Sequence, residues 1–250
     1  ARWGTVTNDA ILDIINCTFR EGKAYKAAST FKFGSGIAAN SGDANYYGTY
    51  DVIGLITNII NCTFNDNQQT DIYAGSGNLL INGCNFNHST GIYMNGYSMD
   101  LKNEIYNSIF TDMQPSSLFG SLSVTTGTTF GIFSVTERNT IIKNNTINFT
   151  NDGYGLYLKG NTTVINNTLT KYIQINGNNN TIKNNFINTN DIYAVKITGS
   201  SQNNNITDNN MYSQVFTGDK TVSANNQNNI IKNNTPLTGI YVNLTEDNFN

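Results

Sequence analysis

Apolar residues in this chain fall in short clusters, and one cluster recurs: an aliphatic residue, a variable one, Asn, a small polar residue, a variable one, then an apolar residue. Ile14-Ile-Asn-Cys-Thr-Phe19, Ile59-Ile-Asn-Cys-Thr-Phe64 and Ile81-Asn-Gly-Cys-Asn-Phe86 align with Ile105-Tyr-Asn-Ser-Ile-Phe110, Ile142-Lys-Asn-Asn-Thr-Ile147 and Val164-Ile-Asn-Asn-Thr-Leu169. Ile182-Lys-Asn-Asn-Phe-Ile187, Ile206-Thr-Asp-Asn-Asn-Met211 and Ile231-Lys-Asn-Asn-Thr-Pro236 complete the series. The first and sixth columns read as core. Side chains on a strand alternate with period two, so residues five apart cannot both point inward unless the chain bends between them. The third column holds Asn, Asp208 or Gly83, the residues that tolerate left-handed backbone angles. The fourth holds Cys17, Cys62, Cys84, Ser108 and then Asn. Stacked inward at about 4.8 Å per turn, these residues form a hydrogen-bonding ladder.

A second motif falls elsewhere in the turn: Asp71-Ile-Tyr-Ala74, Gly91-Ile-Tyr-Met94, Gly131-Ile-Phe-Ser134, Gly155-Leu-Tyr-Leu158, Asp191-Ile-Tyr-Ala194 and Gly239-Ile-Tyr-Val242, with Tyr172-Ile-Gln-Ile175 as a variant. It reads as a turn residue, an inward aliphatic and an outward aromatic. Together the motifs predict an all-β, right-handed parallel β-helix of about ten turns, each of three short strands, occupying residues 1–250 as one domain. From Ile142 onward the corner advances by 22, 18, 24 and 25 residues, through Val164, Ile182 and Ile206 to Ile231. The 45 residues from Ile14 to Ile59 fit two turns, one degenerate, with loops around 20–55. The gap from Ile105 to Ile142 fits one turn with a loop inserted around 111–129. Pro236 breaks the sixth column, so 236–250 reads as a decaying repeat: a cap, a docking edge or a truncation.

Composition narrows the partners. Roughly one residue in six is Asn, only 12% are charged, and the formal net charge is −3. Arg2, Arg20 and Arg138 do not cluster, so no basic stripe for nucleic acid is built. No apolar run reaches membrane-spanning length, and without a signal peptide the chain reads as a mature product or an excised segment. Asn-x-Ser/Thr sequons at Asn16, Asn61, Asn87, Asn144, Asn148, Asn161, Asn166, Asn179, Asn205, Asn233 and Asn243 are glycosylation candidates that permit an extracellular address.

Candidate chemistry is sparse. The one histidine, His88, follows a strand in a polar loop. Asp66 with Asp71 and Asp43 with Asp51 are near neighbours, but neither pair recurs in adjacent turns, so no stacked acidic groove is expected. No catalytic residue, metal site or cofactor is assigned. The three cysteines occupy ladder positions and read as small buried rungs, either free thiols or a Cys62–Cys84 disulfide. The outward aromatics Tyr73, Tyr93, Phe133, Tyr157, Tyr193 and Tyr241 form the candidate binding feature, an exposed stripe with Asn95 and Asn176 beside it.

The Asn-Thr-Ile-x-Asn-Asn strings and the Gly-Ile-Tyr strings resemble the parallel β-helix repeats of pectate-lyase-like proteins. In their Asn- and Ile-rich style they are most similar to the adhesin-like surface proteins of methanogenic archaea. That resemblance implies an extracellular, cell-surface or cell-wall location and a glycan or cell-surface protein as partner. The leading expectation is a non-enzymatic, adhesin-like module. A structural subunit of a sheath, fibre or wall layer, self-associating through solenoid ends or a sheet face, is the second, and a polysaccharide lyase or hydrolase the third.

Overall fold

The computed structural model describes residues 10–22, 36–39, 55–68, 70–75, 77–95, 101–115, 128–199, 201–212, 214–217 and 228–235. These residues form three sheets, one of nine strands and two of eight, and every strand pairing is parallel. The chain visits the sheets in rotation. For example, Asn139–Lys143 lies in the first sheet, Thr146–Asn148 in the second and Gly153–Leu158 in the third, before Thr162–Ile165 re-enters the first. Each strand pairs with its counterpart one turn away, which satisfies backbone donors and acceptors without crossover helices. This is the parallel β-helix anticipated from the repeat.

The register follows the motif column by column. Ile14, Ile59, Ile81, Ile105, Ile142, Val164, Ile182, Ile206 and Ile231 are aligned. All nine third-column residues, from Asn16 to Asn233, adopt left-handed angles with φ between 50° and 67°. The fourth column is the ladder. The backbone N–H of Asn145 donates to Asn167 Oδ1 (2.8 Å), that of Asn167 to Asn185 Oδ1 (2.9 Å), that of Asn185 to Asn209 Oδ1 (2.9 Å) and that of Asn209 to Asn234 Oδ1 (3.0 Å). Cysteine sulfurs take the same role earlier: Cys17 N–H donates to Cys62 Sγ and Cys62 N–H to Cys84 Sγ, both at 3.4 Å. All three cysteines are free, and burial pushes the Cys84 thiol up to about 11. In the sixth column Phe19, Phe64, Phe86 and Phe110 stack with ring centroids 5.1, 4.8 and 4.4 Å apart.

Two features were not anticipated. Ile14 pairs directly with Ile59, so the advance of 45 residues from one to the other is a single circuit. The reading of two turns, one degenerate, is corrected, because the strands at Ile14 and Ile59 are direct neighbours and the third-sheet strand between them is Ile37–Ala39, which pairs with Ile72–Ala74. A second inward Asn ladder runs two residues before the Ile column. Asn180 N–H donates to Asn204 Oδ1 and Asn204 N–H to Asn229 Oδ1, both at 2.9 Å. Most of the loop expected around 111–129, and all of 236–250, including Tyr241 and Asn243, lie outside the described residues.

Candidate functional site

The outward aromatics of the third sheet divide into a buried part and an open part. Tyr73, Tyr93, Phe133 and Tyr157 are aligned in adjacent turns and stack with centroids 5.6, 5.8 and 4.1 Å apart. They are only 3%, 1%, 1% and 9% exposed, so the exposed stripe expected of them is corrected. With Phe130, Val135 and Tyr154 they form a second apolar cluster, separate from the solenoid interior. A continuous aromatic column left in water would be a large apolar patch, and covering it removes that surface from solvent.

The column changes character after Tyr157. Its next members are Gln174 and Lys196, both half-buried. Tyr193 was expected here, but Val195 rather than Ile192 pairs with Ile173, and Ile192 is 70% exposed. The aspartate-headed motif at Asp191 is therefore three residues out of register, and Tyr193 lies beside the column instead of in it. Lys196 Nζ sits 5.9 Å from the Tyr193 ring centroid. Tyr154 meets Tyr172 edge-on at 5.4 Å and Tyr157 at 5.6 Å. Asn176 Nδ2 donates to the Tyr157 hydroxyl at 2.7 Å, so the amide and aromatic expected to be neighbours are in contact. Behind them the buried Lys171 ammonium lies 3.8 Å from Asp191 Oδ1. Burial raises the phenol pKa of Tyr172, as do Tyr154 and the Asp191 carboxylate, and burial likewise raises that of Tyr154. Both hydroxyls stay protonated and act as neutral hydrogen-bonding groups. The half-open end of the column thus presents Tyr154, Tyr172 and Tyr193 rings, the Gln174 amide and the Lys196 cation together.

A second cluster escaped the sequence reading. Asp66, His88 and Asp112 share left-handed angles at the end of successive second-sheet strands. His88 Nδ1 lies 2.8 Å from Asp112 Oδ2, and Nε2 lies 3.9 Å from Asp66 Oδ1. The two acids stand on either side of the histidine, so these three residues bring no two carboxylates into adjacent turns. Each of the three follows its Ile corner by seven residues, a signal present in the repeat once that column is counted. Among the described residues no group of three His, Cys, Asp or Glu is arranged to hold a metal ion, and no helix is long and apolar enough to cross a membrane.

The sequons also take definite places. Asn16, Asn61, Asn144, Asn166 and Asn233 are exposed corner residues in left-handed conformation. Asn87 and Asn148 face outward on the second sheet, Asn179 is exposed, and Asn161 and Asn205 are half-buried.

No curated protein and no solved structure matches the chain. The family model described as "Right handed beta helix region" matches residues 5–236, the span in which the three stacked sheets lie. On the aligned Ile columns, the left-handed corners and this match, the chain belongs to the right-handed β-helix family.

Proposed function

We propose that this β-helix is a non-enzymatic, extracellular surface module that binds glycans through the open end of the third sheet's aromatic column. The observation that carries this reading is the half-exposed grouping of Tyr154, Tyr172 and Tyr193 with Gln174 and Lys196. Aromatic rings offer an apolar face to sugar C–H groups, and the amide and ammonium supply hydrogen bonds to hydroxyls. The rigid sheet holds these side chains in place before any ligand arrives, which lowers the ordering cost of binding. Outward, uncovered sequon asparagines fit a secreted setting.

The test is a glycan array probed with the wild-type chain and a Tyr172→Ala/Tyr193→Ala double variant. Binding that the double variant loses supports the proposal. An array that yields no ligand, or ligands retained in full by the double variant, refutes it.

One observation favours a second reading, polysaccharide cleavage. The Asp112 carboxylate orients the His88 ring so that Nε2 faces Asp66, an arrangement able to move a proton. That reading requires turnover of a polysaccharide by the wild type and its loss in His88→Ala.

A further inference from the structure

The residues that end the second-sheet strands form a column whose geometry suits more than proton movement. Asp66, His88 and Asp112 directly follow the strands Thr63–Asn65, Asn85–Asn87 and Ile109–Thr111, with φ of 58°, 49° and 50°. Their backbones are pinned from turn to turn. Asp66 N–H donates to His88 O (3.1 Å), His88 N–H to Thr111 O (3.2 Å) and Asp112 N–H to Asn148 O (3.2 Å). Glu21 holds the same corner one turn earlier, with φ of 54° and its N–H on Asn65 O (3.0 Å). All four side chains are exposed, and exposed Arg20 beside Glu21 offsets part of the negative charge. The imidazole is held in one tautomer. Asp112 Oδ2 lies 2.8 Å from Nδ1, and a carboxylate only accepts, so Nδ1 carries the proton. Gln114 Nε2 fixes that carboxylate by donating to Asp112 O (2.8 Å) and Oδ1 (3.2 Å), while its approach to Nδ1 at 3.4 Å brings donor to donor. Nε2 is left with a lone pair, 3.9 Å from Asp66 Oδ1. That gap is too long for a hydrogen bond. It matches two ligands of one metal ion: bonds of about 2.1 Å to an imidazole nitrogen and a carboxylate oxygen set those atoms about 3.4 Å apart at the tetrahedral angle and about 4.2 Å apart in line.

We infer that Asp66 Oδ1 and His88 Nε2 together bind a divalent transition-metal ion of the zinc kind, with Asp112 as a positioning residue behind the ring. A ligating histidine that gives its other N–H to a carboxylate is the usual outer-shell arrangement of such sites. Imidazole beside carboxylate suits zinc, copper or nickel, whereas calcium and magnesium take oxygen ligands. The protein supplies two ligands, so the other positions on the ion belong to water or to a ligand atom from outside. The backbone bonds between turns hold both ligands in place before the ion arrives, which lowers the ordering cost of binding. The inference uses none of the third-sheet residues and does not rest on either reading of function. An ion on Nε2 takes the lone pair that polysaccharide cleavage would use as a base, so the two roles of His88 are separable by experiment.

The test is calorimetric titration of the full chain with zinc, calcium and magnesium chlorides, in the absence of any carbohydrate. It is repeated on Cys17→Ser, because Cys17 is an exposed free thiol and Ser108 already fills the same rung in a later turn. Both chains are expected to take up one zinc ion and to give no comparable response to calcium or magnesium. His88→Ala and Asp66→Asn each weaken zinc binding at least tenfold, and Asp112→Ala weakens it about tenfold. Nuclear magnetic resonance of the ring nitrogens separates positioning from mere structure. Zinc moves the His88 Nε2 signal and leaves Nδ1 protonated in the wild type, and Asp112→Ala loses that preference. These side chains lie on the surface, and retained far-ultraviolet circular dichroism confirms the fold of each variant. If a variant fails to fold, the nitrogen signals of the wild type decide alone. Absence of zinc binding, its loss in Cys17→Ser, or zinc on Nδ1 overturns the inference. So does unchanged affinity in Asp66→Asn, which reduces the site to a lone histidine. Turnover of a polysaccharide is not read in this experiment, so its outcome leaves the cleavage reading to its own test.

Discussion

Asp71 is fully buried, and its carboxylate accepts hydrogen bonds from Asn67 Nδ2 (2.8 Å), Gly91 N–H (2.6 Å) and the Ser89 hydroxyl. Burial nevertheless dominates and pushes the carboxyl up from 3.8 to about 6. A raised folded-state pKa means that the folded chain holds this proton where the unfolded chain has released it. The contribution is fully present below pH 3.8 and is lost as pH rises through about 6. Its size is on the order of 3 kcal/mol. Urea unfolding at pH 4.5 and pH 7 should show wild-type stability falling with pH relative to Asp71→Asn; parallel curves would contradict the assignment. The corner residues behave differently. Asn144 is exposed with φ of 58°, so Asn144→Ala should cost about 1 kcal/mol in the same assay and Asn144→Gly much less. These corners were legible in the sequence because Asn, Asp and Gly share one conformational property. The protonation of Asp71 was not, because it depends on which donors the neighbouring turns supply.

At the scale of the strand and its corner, two columns vary together. Turns with a small rung carry phenylalanine: Cys17 with Phe19, Cys62 with Phe64, Cys84 with Phe86 and Ser108 with Phe110. Turns with an Asn rung carry an aliphatic residue: Asn145 with Ile147, Asn167 with Leu169, Asn185 with Ile187 and Asn209 with Met211. Rung and sixth-column residue both point into one closely packed interior, so volume added at one is removed at the other. Cys84→Asn alone should therefore destabilise the chain by roughly 1–3 kcal/mol through overpacking. Adding Phe86→Ile should recover much of that loss, a coupling that a double-mutant cycle measures. Additive effects would show that the columns are independent. The inward columns were legible because a core imposes its period on the sequence. The second ladder at Asn180, Asn204 and Asn229 was harder to see, since the same position is Thr140 and Thr162 in earlier turns and Leu79 in another.

At the scale of the whole molecule the repeat foretells the solenoid but not what lies against it. Tyr73, Tyr93 and Phe133 alternate outward as their motif demands, yet all three are buried. Nothing in a two-residue period says whether an outward face meets water or another layer. Tyr193 was misplaced for a related reason: its motif copies the others in residue type, while the register is set by Val195 and Ile197 entering the core. The Asp66–His88–Asp112 column could have been found by counting seven residues from each corner. The Asn corners build the scaffold, and the proposed glycan binding falls to the outer face of the third sheet. The most direct measurement is nuclear magnetic resonance of the full chain titrated with the best ligand from the glycan array. The predicted result is shifts concentrated at Tyr154, Tyr172, Gln174, Tyr193 and Lys196, with the Asn ladder unmoved. Shifts confined to the Asp66–His88–Asp112 column, with those residues silent, would contradict it.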